Sequence, residues 1–186
     1  MIERAVLEAP GLSAAARERR ALGLTLAEAA LAAVEPRAAT AAAIRRLTGR
    51  GVRTTDVTVL AFGKAAVPMT HGALDAASVR GGVVIAPSLE LATHDLERHG
   101  LEVRAGGHPL PAADALETGD RVLALARSLG PDDVALCLIS GGGSAMLERP
   151  RDGVTLETLQ RVTRALLAAG ADITALNRSE EHTSEL

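Results

Sequence analysis

The sequence predicts an α/β fold: a Rossmann-like parallel sheet with helices on both faces. Three observations carry this. Short, apolar, β-branched runs alternate with longer runs of helical period. Each short run ends at glycine, proline or serine. Three glycine segments, Gly63-Lys64, Gly106-Gly107-His108-Pro109 and Gly141-Gly142-Gly143-Ser144, fall just after three of these runs. In parallel sheets of this kind, ligands bind at the carboxyl ends of the strands.

The elements follow in order. Residues 12–34 are rich in Ala and Leu and read as helix, with Ser13 as N-cap, Gly23 as a weak point and Thr25 as a restart. Pro36 opens a second helix that runs to Leu47 and stops at Gly49 and Gly51. Val57–Phe62 reads as a buried strand, and Lys64–Ala77 as the helix after it. Gly82–Ala86 and Leu101–Ala105 are the next two strands. Ala112–Leu129 is an amphipathic helix, with Leu116, Val122, Leu123 and Leu125 as its apolar face. Asp133–Ile139 is the most apolar run and reads as a central strand, which puts Cys137 in the core. A last helix spans Thr155–Ala169, capped by Thr155 and Gly170.

Composition excludes several classes of function. Of 186 residues, 47% are hydrophobic, enough for a core, but the aromatics amount to one Phe with no Tyr or Trp. Single-stranded nucleic acid needs aromatic stacking platforms, and a net charge of -3 offers no footprint for a phosphate backbone. No apolar run approaches the roughly 18 residues of a membrane span. The first residues lack the basic-then-apolar pattern of a secretory signal, so the expected compartment is the cytoplasm. One cysteine makes no intrachain disulfide.

Lys and Arg total 20, and Lys64 is the single lysine among them. A compact ammonium is therefore expected to matter there, where a flat guanidinium would not fit. A lysine near the start of a helix opposes the dipole, yet it builds a strong site for phosphate oxygens and for charge on a transferring phosphoryl group. Ser140-Gly141-Gly142-Gly143-Ser144 can bring successive backbone N–H groups close to a phosphate or carboxylate. It is neither a Walker loop nor a nucleophile elbow, since Met146 stands where the last glycine of the elbow belongs. His108, held between two glycines and Pro109, is a candidate for substrate binding or proton transfer.

Taken together and in order, FGKAAVPM (62–69), GGHPLP (106–111), LISGGGSAMLERP (138–150) and LLAAGADITALN (166–177) resemble the glycerate 2-kinase family with a C-terminal MOFRL domain, whose members often carry the label hydroxypyruvate reductase. The resemblance implies ATP- and Mg²⁺-dependent phosphorylation of D-glycerate to 2-phosphoglycerate, with glycerate and a nucleotide as small-molecule partners and a homodimer of the full-length enzyme. It implies that Lys64 is the catalytic lysine. Gly63, His108, Ser140, Gly141, Gly142, Gly143, Ser144 and Asn177 would bind substrate or phosphate. The metal ligands remain unassigned. The expected architecture is the incomplete N-terminal domain of a two-domain enzyme, over residues 1–177. Residues 178–186, RSEEHTSEL, break with the preceding composition and read as a tail derived from a sequencing adapter. Such a fragment is expected to be inactive alone. The competing readings are an NAD(P)-dependent hydroxypyruvate reductase, against which no G-x-G-x-x-G follows a strand, and a stand-alone anion-binding α/β module.

Overall fold

The computed structural model describes residues 11–87, 93–107 and 113–184. Its elements are α1 (Ala14–Ala33), α2 (Pro36–Thr48), β1 (Val57–Phe62), α3 (Ala66–Leu74), β2 (Val79–Ala86), α4 (Thr93–Glu97), β3 (Leu101–Ala105), α5 (Ala113–Ser128), β4 (Val134–Ile139), α6 (Gly143–Met146), α7 (Leu156–Ala168) and α8 (Ile173–Thr183). The strands form one sheet in the order β3-β2-β1-β4, every pair parallel.

Local chemistry explains the helix starts. The Ser13 hydroxyl accepts the Ala16 N–H at 3.3 Å. At α2 the Glu35 carboxylate accepts the N–H groups of Arg37 and Ala38 at 3.0 and 2.7 Å, and Pro36 takes a first-turn position that needs no N–H. Thr155 caps α7 through the Thr158 N–H at 3.2 Å, and Gly170 adopts φ +69° just beyond its end. Gly23 does not interrupt α1, because a lone glycine costs a helix interior only about 1 kcal/mol.

Helices cover both faces of the sheet, as alternation along each strand requires. On one face Val59, Ala61, Val84, Ala86 and Leu138 pack with Ala66, Val67 and Ala73 of α3, Ile44 of α2 and Leu96 of α4. On the other, Leu60, Val83 and Ile85 meet Val122 of α5 and Met146 of α6. Register aligns the strand ends: Phe62 lies opposite both Ile85 and Ile139. The turns after β1 and β4 therefore emerge side by side.

Three expectations are corrected. β4 is an edge strand, not a central one, since among the described residues it pairs only with β1. Its apolar sequence reflects one covered and one uncovered face, so Cys137 is exposed and Ile139 is 63% exposed. The helix after β1 begins at Ala66, which leaves Lys64 in the turn before it. The change in composition at Arg178 falls within α8, which runs on to Thr183.

The opposite pole of the sheet is held by charge. Arg80 reaches across β1, donating to the Thr58 hydroxyl at 2.8 Å and pairing with Asp133 at 2.7 Å. Asp133 also accepts the Gly130 N–H at 2.7 Å. The Arg80 hydrogen bond, then the Gly130 N–H, hold the Asp133 carboxyl below the usual aspartate range. A depressed folded-state value means that this stabilisation is present above the unfolded-state pKa and is lost as pH falls through the folded one. Urea midpoints measured at descending pH should therefore fall more steeply for the wild type than for Asp133→Asn, across about pH 5 to 2.

Candidate active site at the carboxyl ends of the strands

The strand ladders continue into the three glycine segments. Gly63 donates to the Ile85 carbonyl at 3.2 Å, Ser140 to the Phe62 carbonyl at 3.0 Å, and Gly106 to the Ala86 carbonyl at 2.9 Å. Two further bonds tie the turn after β1 to the turn after β4. The Lys64 N–H donates to the Gly141 carbonyl, and the Ala65 N–H to the Ser140 hydroxyl, both at 3.0 Å.

Such proximity leaves no room for side chains. A Cβ on Gly63, whose φ is +111°, would lie 2.3 Å from the Ser140 carbonyl oxygen. On Gly106 it would lie 2.4 Å from Met146 Cβ, and on Gly143 2.7 Å from Phe62 Cδ2. Gly142 is glycine for its conformation, φ +87°, which turns the chain into α6. Gly141 has neither reason. Its φ is not in the left-handed region, and a Cβ there would meet nothing within 4 Å. Gly141 is exposed, and among the described residues neither its N–H nor that of Gly142 has a partner. Unpaired successive N–H groups in an open turn suit an anion.

Gly141 and Gly143 thus separate experimentally. Gly143→Ala should lower the melting temperature by several degrees through the clash with Phe62. Gly141→Ala should leave it unchanged and weaken anion binding, as read by isothermal titration with inorganic phosphate.

The predicted residues divide clearly. Gly63, Lys64 and Ser140–Ser144 come together. The Lys64 side chain is exposed and makes no ion pair among the described residues. The Ser140 hydroxyl is occupied, accepting from Ala65 and lying 3.4 Å from the Phe62 carbonyl, so it secures the Lys64 turn. Ser144 is exposed on α6. Asn177 is exposed on α8, outside the cavity walls that Ser144 borders. His108 lies outside the described residues.

A cavity of about 530 Å³ opens beside the turn, walled by Phe62, Ile139, Gly143, Ser144, Leu147 and Glu148 among others. Glu148 is the residue that sequence reasoning missed. It is only 5% exposed, and its N–H donates to the Ala115 carbonyl of α5 at 3.1 Å. Burial pushes its carboxyl up, opposed by hydrogen bonds from Ser184 and the Arg149 backbone. The available signal was one carboxylate four residues after Ser144, directly after the apolar run Ala145–Leu147.

Among the described residues no group of three or more His, Cys, Asp or Glu side chains could hold a metal ion. The free N–H groups and Lys64 do match the chemistry of phosphate oxygens. No helix among the described residues is long and apolar enough to cross a membrane.

A family described as "Domain of unknown function (DUF4147)" matches residues 23–186. The chain belongs to the DUF4147 family. This DUF4147 chain is 36% identical over 132 residues to D-glycerate 2-kinase of Thermotoga maritima, covering 70% of the chain and 31% of that enzyme. It is 33% identical over 130 residues to glycerate 2-kinase of Pyrococcus horikoshii, covering 70% of the chain and 29% of that enzyme. The crystal structure of glycerate kinase from Thermotoga maritima superposes with a TM-score of 0.72 at 31% identity, over 90% of this DUF4147 chain and 39% of that one. The chain thus spans about a third of the length of these relatives, 31% and 29% of the two enzymes.

Proposed function

We propose that this chain forms the phosphate- and substrate-binding portion of a D-glycerate 2-kinase, which moves the γ-phosphoryl group of ATP to the 2-hydroxyl of glycerate. The observation that carries the reading is the bond from the Lys64 N–H to the Gly141 carbonyl, which holds the single lysine beside the open glycine turn. The names of the relatives point to the same reaction.

In this reading the Gly141 and Gly142 N–H groups receive anionic oxygens. The Lys64 ammonium neutralises charge as the phosphoryl group transfers, a task of positioning and electrostatics rather than of covalent chemistry. Ser144 offers a hydroxyl at the same rim. His108 and Asn177 stay assigned to positioning substrate. Mg²⁺ bound with the nucleotide would supply neutralisation of its phosphates.

The test is a chimera in which this segment replaces the matching part of the Thermotoga maritima D-glycerate 2-kinase. ATP-dependent formation of 2-phosphoglycerate is expected. A soluble, folded chimera without that turnover, or one that oxidises NADH with hydroxypyruvate, overturns the proposal. The chain of 186 residues by itself is expected to show no turnover.

A further inference from the structure

We infer that a second copy of this chain docks on the free edge of β4: the two β4 strands pair antiparallel about a two-fold axis, and Asp132 of each copy enters the glycine turn of the other. The inference does not rest on the glycerate reading. It needs only the geometry of the edge and of the turn.

The two edges of the sheet differ. β3 carries Glu102 and Arg104, and Glu102 pairs with Arg104 at 2.5 Å and with Arg121 of α5 at 2.6 Å. Charges of this kind keep a further strand away from an edge. β4 carries no charge, no proline and no bulge. Among the described residues it pairs only with β1, and β1 and α3 are the elements that pack most on it. The bond from the Ser140 N–H to the Phe62 carbonyl sets the phase of the ladder. By alternation, Ala135, Cys137 and Ile139 aim their N–H and carbonyl groups away from β1, at the open edge. The same three residues are exposed. Such an edge is a template for another strand.

Charge decides which strand. With Cys137 of one copy opposite Cys137 of the other, Ala135 lies opposite Ile139, and each outward group of these residues finds a partner. The same register carries Asp132 of each copy alongside Gly142 of the other. Asp132 is exposed, and among the described residues its carboxylate has neither an ion pair nor a hydrogen bond. The Gly141 and Gly142 N–H groups are unpaired among the same residues, and Lys64, clamped beside them, has no ion pair. A carboxylate without a partner thus meets donors and an ammonium without one, and the two-fold axis makes the match twice. The dimer would therefore fill both anion turns with protein carboxylates, and a free anion must displace them.

Sedimentation velocity of the 186-residue chain over a concentration series should show a reversible dimer. A short bismaleimide should join the two Cys137 thiols, because residues so paired have Cα atoms about 5.5 Å apart. Cys137→Lys sets like charges directly opposite each other and should sediment as a monomer where wild type is dimeric. Ala135→Lys charges the same edge and should do likewise, so the test stands even if one of the two variants fails to fold. Asp132→Asn should weaken the dimer about tenfold with an unchanged melting temperature. Inorganic phosphate should weaken the wild-type dimer relative to chloride at equal ionic strength, and the Asp132→Asn dimer less. A wild type that stays monomeric over the whole series overturns the inference. So does a dimer that survives both lysine variants and resists cross-linking, whose joint would lie elsewhere, as at the exposed Leu22 and Leu26 of α1. A β4 dimer indifferent to phosphate and to Asp132→Asn overturns the entry of Asp132 into the turn.

Discussion

Lys64→Met, in a chimeric enzyme of family length carrying this segment, is expected to lower kcat for D-glycerate phosphorylation on the order of 10²- to 10³-fold, the usual cost of removing one pre-positioned charge-stabilising group. KM for glycerate should change far less, because the ammonium acts most strongly on charge that develops in the transition state. Lys64→Arg should recover little. The Lys64 backbone is clamped by its N–H bond to Gly141 at 3.0 Å, and a longer planar head on the same stem cannot place its charge at the same point. The fold should be indifferent, since the side chain is exposed and has no ion pair among the described residues. Steady-state kinetics beside a melting curve decides the matter. A tenfold or smaller loss in kcat for the Met variant would remove Lys64 from the chemistry.

Gly63→Ala is expected to have a large effect on stability. Two costs add. The residue sits at φ +111°, outside the ordinary range of an L side chain, and the added methyl would meet the Ser140 carbonyl oxygen at 2.3 Å. Backbone strain of about 1–2 kcal/mol and overpacking of about 1–3 kcal/mol together amount to a loss on the order of 3 kcal/mol. That is a large share of a stability of roughly 5–15 kcal/mol. The obstacle is backbone, so no rotamer change relieves it. The cheaper escape is to part the turns after β1 and β4, which would break the Lys64–Gly141 and Ala65–Ser140 bonds. Anion binding should therefore fall even in those molecules that remain folded. Urea denaturation with phosphate titration measures both, and unchanged values for Gly63→Ala would mean that the two turns are not in contact.

Much of the fold was legible because it depends on neighbours in sequence. Alternating apolar periods located all four strands to within a few residues, and the caps at Ser13 and Thr155 are those chosen from residue type alone. The convergence of Gly63, Lys64 and the Ser140–Ser144 turn was legible for a similar reason. In a parallel sheet, each strand's carboxyl end must emerge on the same edge. The edge position of β4 was not legible, because a run such as Val134–Ile139 looks the same whether covered on one face or two. Nor was α8, whose sequence across Arg178 is mostly polar.

By itself, then, the sequence determined the element types, the parallel sheet, and the placing of a lone lysine and a glycine turn at its functional edge. Only the tertiary structure decided what each glycine is for. Gly143 makes room for Phe62, Gly63 and Gly106 make room for Ser140 and Met146, and Gly141 makes room for nothing among the described residues. It alone showed that the Ser140 hydroxyl is occupied and that Glu148 is buried with a free oxygen. The reason is physical. Propensity and period depend on residues a few positions apart, whereas clearance, burial and hydrogen-bond satisfaction depend on atoms brought together from distant parts of the chain, as Ala65 and Ser140 are.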